Sequence, residues 1–476
     1  MQQVTSLDAQ VLNAETPTAP GHVGALLILD PATTSSGAVT LELFRDLCQA
    51  RLHQVPRLRQ RLIDVPLHLG QPYWVDDPHF DLEYHVREIG LPAAGGERQL
   101  AELVAGIHSR PLDRVRPLWE AYLVQGLARG RAAIYAKIHH VLIDPESGVE
   151  LLAAILDDAA EPPEPEVPES EWRPASVPSQ PGLLARGLTS TVGRLVTSPP
   201  RTVPHLSNLP GASRIPGSRV VSDIADTVVS LAVRRLRPRR AALEQSQLAP
   251  RTPLNGALTP HRSFGYGSVP LADIEPVATA YGQTVYDVGV AMAASALRRW
   301  LLDHDALPQR PLVAAVLTPA RGDDTPTATG IRTLFVQLPT HLTDPEQRLA
   351  EVAKSLADHV ESSPATTSPV SDATTFAAWW ALTCRGQFGQ ATVVGPAFNL
   401  FVSLVPGPRS PVYIAGARVA SVHPVSAVTD RTGGLNLGLL GYNGSLELGV
   451  VACRELVPDV ANLIGYFADA LGELAG

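Results

Sequence analysis

The chain has 476 residues, of which 45% are hydrophobic and 18% are charged, and its formal net charge is −9. That length and apolar content predict a globular protein of two or three units with a large core. The acidic balance argues against a general affinity for nucleic acid, and three widely separated cysteines argue against a disulfide framework and for the reducing cytosol.

The first region, residues 1–158, alternates predicted strands with predicted helices. Its N-terminus lacks the basic and apolar stretches of a signal peptide. Period-2 and period-3.6 spacing of apolar residues separates the two kinds of element. The predicted strands are 22–30, 82–91, 119–127 and 132–143, and the predicted helices are 41–55, 98–112 and 146–158.

Residues 159–253 change in composition and predict a linker with crossover helices. The linker begins rich in Pro and Glu, which favours an extended chain. Two amphipathic segments follow at 183–196 and 227–242, and the second carries five arginines between Arg234 and Arg240. Two interpretations stay open: surface helices of a crossover connection, or a basic surface that touches anionic lipid.

The second region, residues 254–476, again mixes strands and helices. A long predicted helix places Val288, Met292 and Ala296 on one apolar face. The uncharged stretch 386–408 contains three prolines and predicts strand and loop instead of a membrane helix. The predicted helices are 282–304 and 457–476, and the predicted strands are 310–321, 333–342, 398–408 and 435–453, the last with a hairpin turn at 442–445.

The stretch KIHHVLIDPESG (137–148) carries the chemistry that stands out. A strand that ends in two histidines would direct one toward a cleft and the other into packing, because side chains alternate. Imidazole suits proton transfer near neutral pH, and the carboxylate of Asp144 could orient it. No serine or cysteine nucleophile motif accompanies the pair, so a base here would activate a bound acceptor directly. The alternative is two structural histidines, and a metal site is disfavoured because no third ligand is evident.

Further blocks add specificity to this weak motif. PLDRVRPLWE (111–120) lies about twenty residues before HHVLID, and SLDAQVLNAETPTAPGHVGALLILDP (6–31) precedes both. Together with LNGALTPHRSFGYGSVPLADI (254–274) and FNLFVSLVPGPRSPVYIAGARV (398–419), these blocks resemble the bacterial wax ester synthase/diacylglycerol acyltransferase family. That family belongs to the CoA-dependent acyltransferases, which include chloramphenicol acetyltransferase.

The resemblance implies an α/β fold with two chloramphenicol acetyltransferase-like lobes, each a mixed β-sheet with flanking helices, and a substrate tunnel between them. The N-terminal lobe would span 1–158 and the C-terminal lobe 254–476. The implied activity is O-acyl transfer from acyl-CoA, as co-substrate, to the hydroxyl of a diacylglycerol or a long-chain alcohol. No metal or other cofactor is implied, and a cytoplasmic protein with peripheral contact to a membrane or lipid droplet fits the family.

The resemblance also assigns roles to residues of this sequence. His140 would be the general base, His139 its structural partner, and Asp144 a support for the loop through an arginine. Arg116 and Arg321 are both candidates for that arginine.

Four positions depart from the family's pattern. Pro145 stands where the family has Gly after the aspartate, and Tyr286, Ile331 and Leu404 stand where it has asparagine. A proline removes a backbone N–H that could bond a substrate or an oxyanion. The departures are interpreted as drift, or as a remodelled substrate site that includes Pro145, Tyr286, Leu404, Arg321 and Asp287. An unusual acceptor or donor, or a non-catalytic acyl-CoA- or lipid-binding homologue, stay as alternatives.

Overall fold

A computed structural model describes most of the chain. The described residues are 1–66, 70–142, 155–161, 172–179, 181–183, 249–319, 331–362, 396, 398–429 and 433–475. Within them, no helix is long and apolar enough to cross a bilayer.

Strands and helices alternate in both regions, as the sequence predicts. The strands are β1 Gln2–Gln3, β2 His22–Asp30, β3 Gln60–Ile63, β4 Tyr73–Asp76, β5 Val86–Gly95, β6 Trp119–Leu127, β7 Ala132–His139, β8 Arg262–Pro270, β9 Leu312–Pro319, β10 Ile331–Leu338, β11 Leu400–Pro406, β12 Tyr413–Ile414, β13 Ala417–Val425, β14 Leu435–Tyr442 and β15 Ser445–Cys453. The helices are α1 Ser6–Ala14, α2 Leu41–Arg51, α3 Leu82–His85, α4 Glu97–His108, α5 Leu271–Tyr281, α6 Val285–Asp303, α7 Pro345–Ser362 and α8 Val460–Ala475.

Two mixed six-stranded sheets dominate the described residues. The first has the order β12-β13-β2-β7-β6-β5, and the second has the order β10-β9-β11-β14-β15-β8. In the first, β5 and β6 are parallel, and in the second β11 is parallel to both β9 and β14. The chain therefore has the predicted α/β fold with two lobes.

The two sheets do not divide at a single point of the chain. Strands β12 and β13 come from the C-terminal region, yet β13 pairs antiparallel with β2 of the N-terminal sheet, with His423 opposite Leu26. The hydroxyl of Tyr442, at the end of β14, donates to Val419 O at 2.8 Å and accepts from Val412 N at 3.1 Å. The C-terminal region thus completes the N-terminal sheet, and the domain boundaries stay a prediction.

Local sequence signals account for several elements. The apolar face predicted for α6 is buried at Val288, Met292 and Ala296, inside the core of the C-terminal lobe. Asn443 and Gly444 both have positive φ, 42° and 82°, which makes the tight hairpin turn predicted between β14 and β15.

One predicted strand is partly wrong. Residues 82–91 do not form a strand throughout, because Asp81 caps a helical turn by accepting a hydrogen bond from Glu83 N. The strand β5 begins only at Val86. An aspartate before a short polar segment favours that turn over extended backbone.

Candidate active site

The paired histidines lie where β7 ends. This strand is buried between β2 and β6, and His139 is opposite His22 in the register with β2. A turn of 3-10 helix, His140–Leu142, follows at once, and His140 N donates to Gly21 O at 3.0 Å. The backbone of both histidines is therefore held by a central strand and by the loop before β2.

The His139 side chain is buried and has a partner at each ring nitrogen. Its Nδ1 accepts from Val141 N at 3.2 Å, so that nitrogen carries no proton. The ring proton is therefore on Nε2, which donates to Glu15 Oε1 at 2.9 Å. With both nitrogens engaged and 2% of the residue exposed, His139 is placed to hold structure.

Glu15 is the acidic residue that orients His139. Its carboxylate also accepts from Gly21 N and from Arg114 Nη2, and Arg114 Nη2 donates in addition to Leu12 O at 2.9 Å. Burial alone would raise the pKa of Glu15, but the hydrogen bonds from His139, Arg114 and Gly21 outweigh it and lower the pKa to about 2. This carboxylate is ionised at any working pH of the protein.

Sequence reasoning missed Glu15 and Arg114. Glu15 is separated from His139 by 124 residues, and no spacing rule connects the two. Arg114 stands in the DRVR stretch two residues before Arg116, which was one of two candidate partners for Asp144. The available signal was the lone Glu between α1 and β2, within the first block that resembles the family.

The His140 side chain lies in a different environment. The residue is exposed, yet desolvation by the surrounding protein, with a smaller contribution from the adjacent His139, lowers the pKa of His140 below the ordinary value of histidine. Asp8 opposes this shift only in part. Because its pKa is lowered, this imidazole is unprotonated at neutral pH and can accept a proton.

Lys137 fastens the same strand to α4. Its ammonium is 1% exposed and donates to Ile107 O at 3.1 Å and to Arg110 O, the carbonyls at and after the C-terminal end of α4. Burial lowers the pKa of Lys137 to about 8. A cation at the C-terminal end of a helix is favourable. Lys137 thus connects β7 to α4, and Glu15 holds His139 at the C-terminal end of β7.

Of the other residues predicted to support the histidine loop, the structure describes Arg116. Arg116 has its guanidinium carbon 4.0 Å from the centre of the Tyr84 ring and pairs with Asp113 at 3.9 Å. Asp144, Pro145 and Arg321 lie outside the described residues, so the partner of Asp144 stays a prediction.

The predicted substrate-site residues of the C-terminal lobe have local partners. Leu404 is 8% exposed and belongs to the core around α6. The Tyr286 hydroxyl donates to Val405 O at 3.1 Å. Asp287 accepts from Thr284 N at 2.9 Å and from Thr284 Oγ1 at 2.6 Å, the pattern of an N-terminal capping box. These contacts join none of the three to the histidines, and their role toward substrate stays a prediction.

A metal centre finds no support in the part of the chain that the structure describes. There, no group of three or more His, Cys, Asp or Glu side chains could hold an ion.

Comparison with known proteins identifies close likenesses over the whole chain. The model of the wax ester synthase/diacylglycerol acyltransferase catalytic domain matches residues 4–289, and that of the WS/DGAT C-terminal domain matches residues 329–475. A putative diacylglycerol O-acyltransferase of Mycobacterium tuberculosis is 32% identical over 494 residues, which cover 100% of this chain and 90% of that protein.

Solved structures agree. The wax ester synthase/diacylglycerol acyltransferase of Marinobacter aquaeolei VT8 superposes with a TM-score of 0.70 at 28% identity, covering 100% of this chain and 98% of that one. The first condensation domain of the calcium-dependent antibiotic synthetase superposes with a TM-score of 0.53 at 16% identity, covering 100% and 98%. At that identity the second likeness shows the fold alone.

Proposed function

This chain belongs to the wax ester synthase/diacylglycerol acyltransferase family and is an acyltransferase, and from that premise we propose how it works. A fatty acyl group passes from acyl-CoA directly to the hydroxyl of a diacylglycerol or a long-chain alcohol. No cofactor joins acyl-CoA, because a thioester is already an activated acyl group. The observation that carries the proposal is His140, an accessible imidazole of lowered pKa at the tip of a firmly held strand.

The acceptor hydroxyl lies against the unprotonated nitrogen of His140. As the acceptor oxygen attacks the thioester carbonyl, its proton moves to His140, and a tetrahedral intermediate forms. The intermediate collapses, the C–S bond breaks, and the CoA sulfur leaves with the proton from His140. The imidazole is then neutral again, and no covalent enzyme intermediate is needed.

Glu15 and His139 act through position. The ionised Glu15 holds His139, and His139 accepts from Val141 N just beyond His140. This arrangement limits rotation of the turn that carries the base, and fixed geometry contributes strongly to the rate of a bimolecular transfer.

The oxyanion of the intermediate needs a donor other than the backbone of residue 145. Pro145 has no N–H, whereas the glycine usual at this position in the family has one. Losing one such donor costs about 10²- to 10³-fold in rate where it is used. We expect Pro145→Gly to raise the turnover number if the family's glycine supplies that donor.

Because a diacylglycerol or a long-chain alcohol partitions into lipid, we expect the reaction to take place at a lipid surface. The basic segment Arg234–Arg240, outside the described residues, has the composition for contact with anionic lipid. Co-sedimentation with vesicles of anionic and of zwitterionic lipid tests this contact. Binding that is equal for both vesicle types, or absent, contradicts it.

The decisive experiment follows thiol release from palmitoyl-CoA with hexadecanol, with diacylglycerol or without acceptor. We expect acceptor-dependent release by the wild type, and a fall of about 10²- to 10⁴-fold in His140→Ala, the range for loss of a general base. His53→Ala is the matched control, since its ring bonds Ala50 O at the end of α2, away from β7. Full activity of His140→Ala would contradict the proposed base.

The same assay distinguishes the proposed function from the alternatives suggested by the four departures from the family pattern. A folded protein that releases no thiol with either acceptor would indicate an unusual acceptor or donor, or a binding protein. Pro145→Gly would then be the next variant to assay.

A further inference from the structure

A cleft of about 600 Å³ opens between the two lobes, away from the histidines. Ile28 lines it and pairs with Ala133, whereas His139 pairs with His22 at the other end of β7. Six residues of strand at about 3.3 Å each separate the two places by about 20 Å. The volume is within the range of small-molecule sites, about 300–1,000 Å³.

One wall of the cleft is apolar. Its apolar lining residues are Leu127 at the end of β6, Val269 of β8, and Ile464 and Phe467 of α8. Gly465 lies on the same wall, and a Cβ added there would meet no atom within 4 Å. Gly465 is exposed, so the cleft is open to solvent on this side, and its volume is large enough for a hydrocarbon chain.

The rim carries cations. Arg129 and Arg131 stand in the turn between β6 and β7, both are exposed, and within the described ranges neither has an ion-pair partner. Arg129 has a left-handed backbone, with φ 61° and ψ 27°, which is strained for a residue with a side chain. Glu97 also lines the cleft, and its negative charge disfavours an anion, but the two positive charges of Arg129 and Arg131 exceed it.

The floor is polar and uncharged. His423 Nδ1 donates to Leu448 O at 3.2 Å, so its Nε2 accepts from Ser421 Oγ at 2.9 Å. Desolvation by burial lowers the pKa of His423 to about 4, so the ring is neutral. Tyr266 stays a protonated phenol, because burial and Glu97 raise its pKa, and it offers a donor near Arg131.

An apolar wall, a neutral floor and a cationic rim fit one class of ligand. We propose that this cleft binds a free long-chain fatty acid, with its carboxylate at Arg129 and Arg131 and its chain along Leu127, Ile464 and Phe467. Pairing of guanidinium with carboxylate supplies the selectivity for an anion. The site goes beyond the proposed function, and since it needs no catalysis it is measurable in His140→Ala protein.

Fluorescence titration with dansyl-labelled undecanoic acid, in the presence of a saturating non-hydrolysable acyl-CoA thioether, tests the site. Gly465→Trp fills the cleft, and we expect it to weaken binding by about tenfold or more. Gly472→Trp is the matched control, since Gly472 lies on the same helix, is exposed and also has open space at its Cβ. Equal binding by wild type and Gly465→Trp would overturn the proposal.

The charge of the rim is tested separately. We expect R129Q/R131Q to bind the dansyl-labelled acid about three- to tenfold more weakly than wild type does. We expect the corresponding dansyl-labelled alcohol to bind wild type about as weakly as the acid binds R129Q/R131Q. R409Q/R454Q is the charge-matched control at exposed positions elsewhere. An alcohol that binds as tightly as the acid would overturn the assignment of an anion.

Direct mapping of the fatty-acid site by photolabelling tests the proposal even if Gly465→Trp does not fold. A diazirine fatty acid photolysed with wild-type protein should label peptides that contain 127–131 or 464–468. Labelling confined to other peptides would overturn the proposal.

Discussion

His139 and His140 are adjacent in sequence but differ in environment. His139 ends a buried strand and is held between Glu15 and Val141 N, whereas His140 begins the next turn and is an exposed residue. A buried histidine with both nitrogens engaged has no lone pair for a substrate. We therefore propose the second histidine, His140, as the general base, with His139 connecting its turn to Glu15.

The pKa of His140 predicts a shifted pH profile. Desolvation and His139 disfavour its imidazolium, so the pKa is lower than the ordinary value of about 6.5. The base acts unprotonated, so kcat/KM should fall only as the pH drops through this lowered pKa. We expect the acid limb of the profile to have its midpoint below about 6.5.

Samples returned to neutral pH before assay serve as the control for acid inactivation. A reversible midpoint above the ordinary histidine value would contradict the prediction.

Replacement of Glu15 should affect both rate and acid stability. Glu15→Gln loses the charged bonds to Arg114 and His139, and we expect kcat/KM to fall about 10- to 100-fold, the equivalent of one charge-assisted hydrogen bond. The depressed pKa of about 2 stabilises the fold above the ordinary carboxyl pKa, and this stabilisation is lost as the pH falls toward 2. It amounts to about 3 kcal/mol at neutral pH.

Urea denaturation of wild type and variant between neutral and acid pH measures that difference. Glu83→Gln, at an exposed carboxyl, is the control. Parallel pH dependence of wild type and Glu15→Gln would show that Glu15 does not carry the stabilisation.

At the scale of elements, polar contacts connect neighbouring segments. Lys137 ties β7 to the end of α4, and a capping box starts α6 at Thr284. Between the two lobes, Glu447 of β15 accepts from Ser268 of β8 and lies 3.5 Å from His423 of β13. Burial disfavours the charged forms of both Glu447 and His423.

Asp287 is predicted to act through α6. Asp287→Ala should lower the free energy of unfolding by about 1 kcal/mol through loss of the capping box, with kcat/KM unchanged. Asp287→Asn, which keeps an acceptor oxygen, should lose less. Urea denaturation and steady-state kinetics measure the two effects. A fall in kcat/KM without loss of stability would instead favour the substrate contact predicted from sequence.

Substitution of Glu447 should stabilise the folded protein. Burial raises its pKa to about 7, so the folded state is penalised as the pH rises from the ordinary carboxyl value through about 7. Glu447→Gln cannot ionise and still offers an oxygen to Ser268. We expect the variant to be more stable than wild type by about 3 kcal/mol near pH 8 and nearly equal near pH 4.

Thermal denaturation at the two pH values measures this difference. Glu88→Gln, at an exposed residue of β5, is the control. A variant that is less stable than wild type at the higher pH would show that the carboxylate is stabilising.

At the scale of the whole molecule, the lobes are not independent. Strand β13 belongs to the C-terminal region by sequence and to the N-terminal sheet by hydrogen bonding. Arg262, at the start of β8, adds a second link through its backbone N, which donates to Ser109 Oγ at 2.9 Å. One sheet therefore cannot be completed without the other half of the chain.

Tyr442→Phe tests this coupling. The substitution leaves Val412 N–H and Val419 C=O, both buried, without their hydroxyl partner, and we expect a loss of about 2 kcal/mol. Unfolding should remain one transition when it is followed by tryptophan fluorescence and by far-UV circular dichroism. Tyr413→Phe, at a half-buried position, is the control. Two separate transitions in wild type would contradict the coupling.

Much of the architecture was accessible from the amino-acid sequence by itself. The period of two in β2 and β7, the apolar face of α6 and the Asn-Gly turn at 443–444 are local properties, because backbone geometry and turn chemistry act over a few residues. The pair His139–His140 at a strand end, with the family resemblance around it, likewise identified the candidate base.

Only the tertiary structure decided which groups surround that base. Glu15 reaches His139 across 124 residues, Arg114 meets Glu15, and β13 crosses to the other sheet. Such contacts depend on sheet order and register, which arise when distant segments bury their apolar faces together, and no local pattern encodes them. For the same reason the sequence did not show that Asp287 caps a helix and that Leu404 lies in a core, and their predicted role toward substrate stays a prediction.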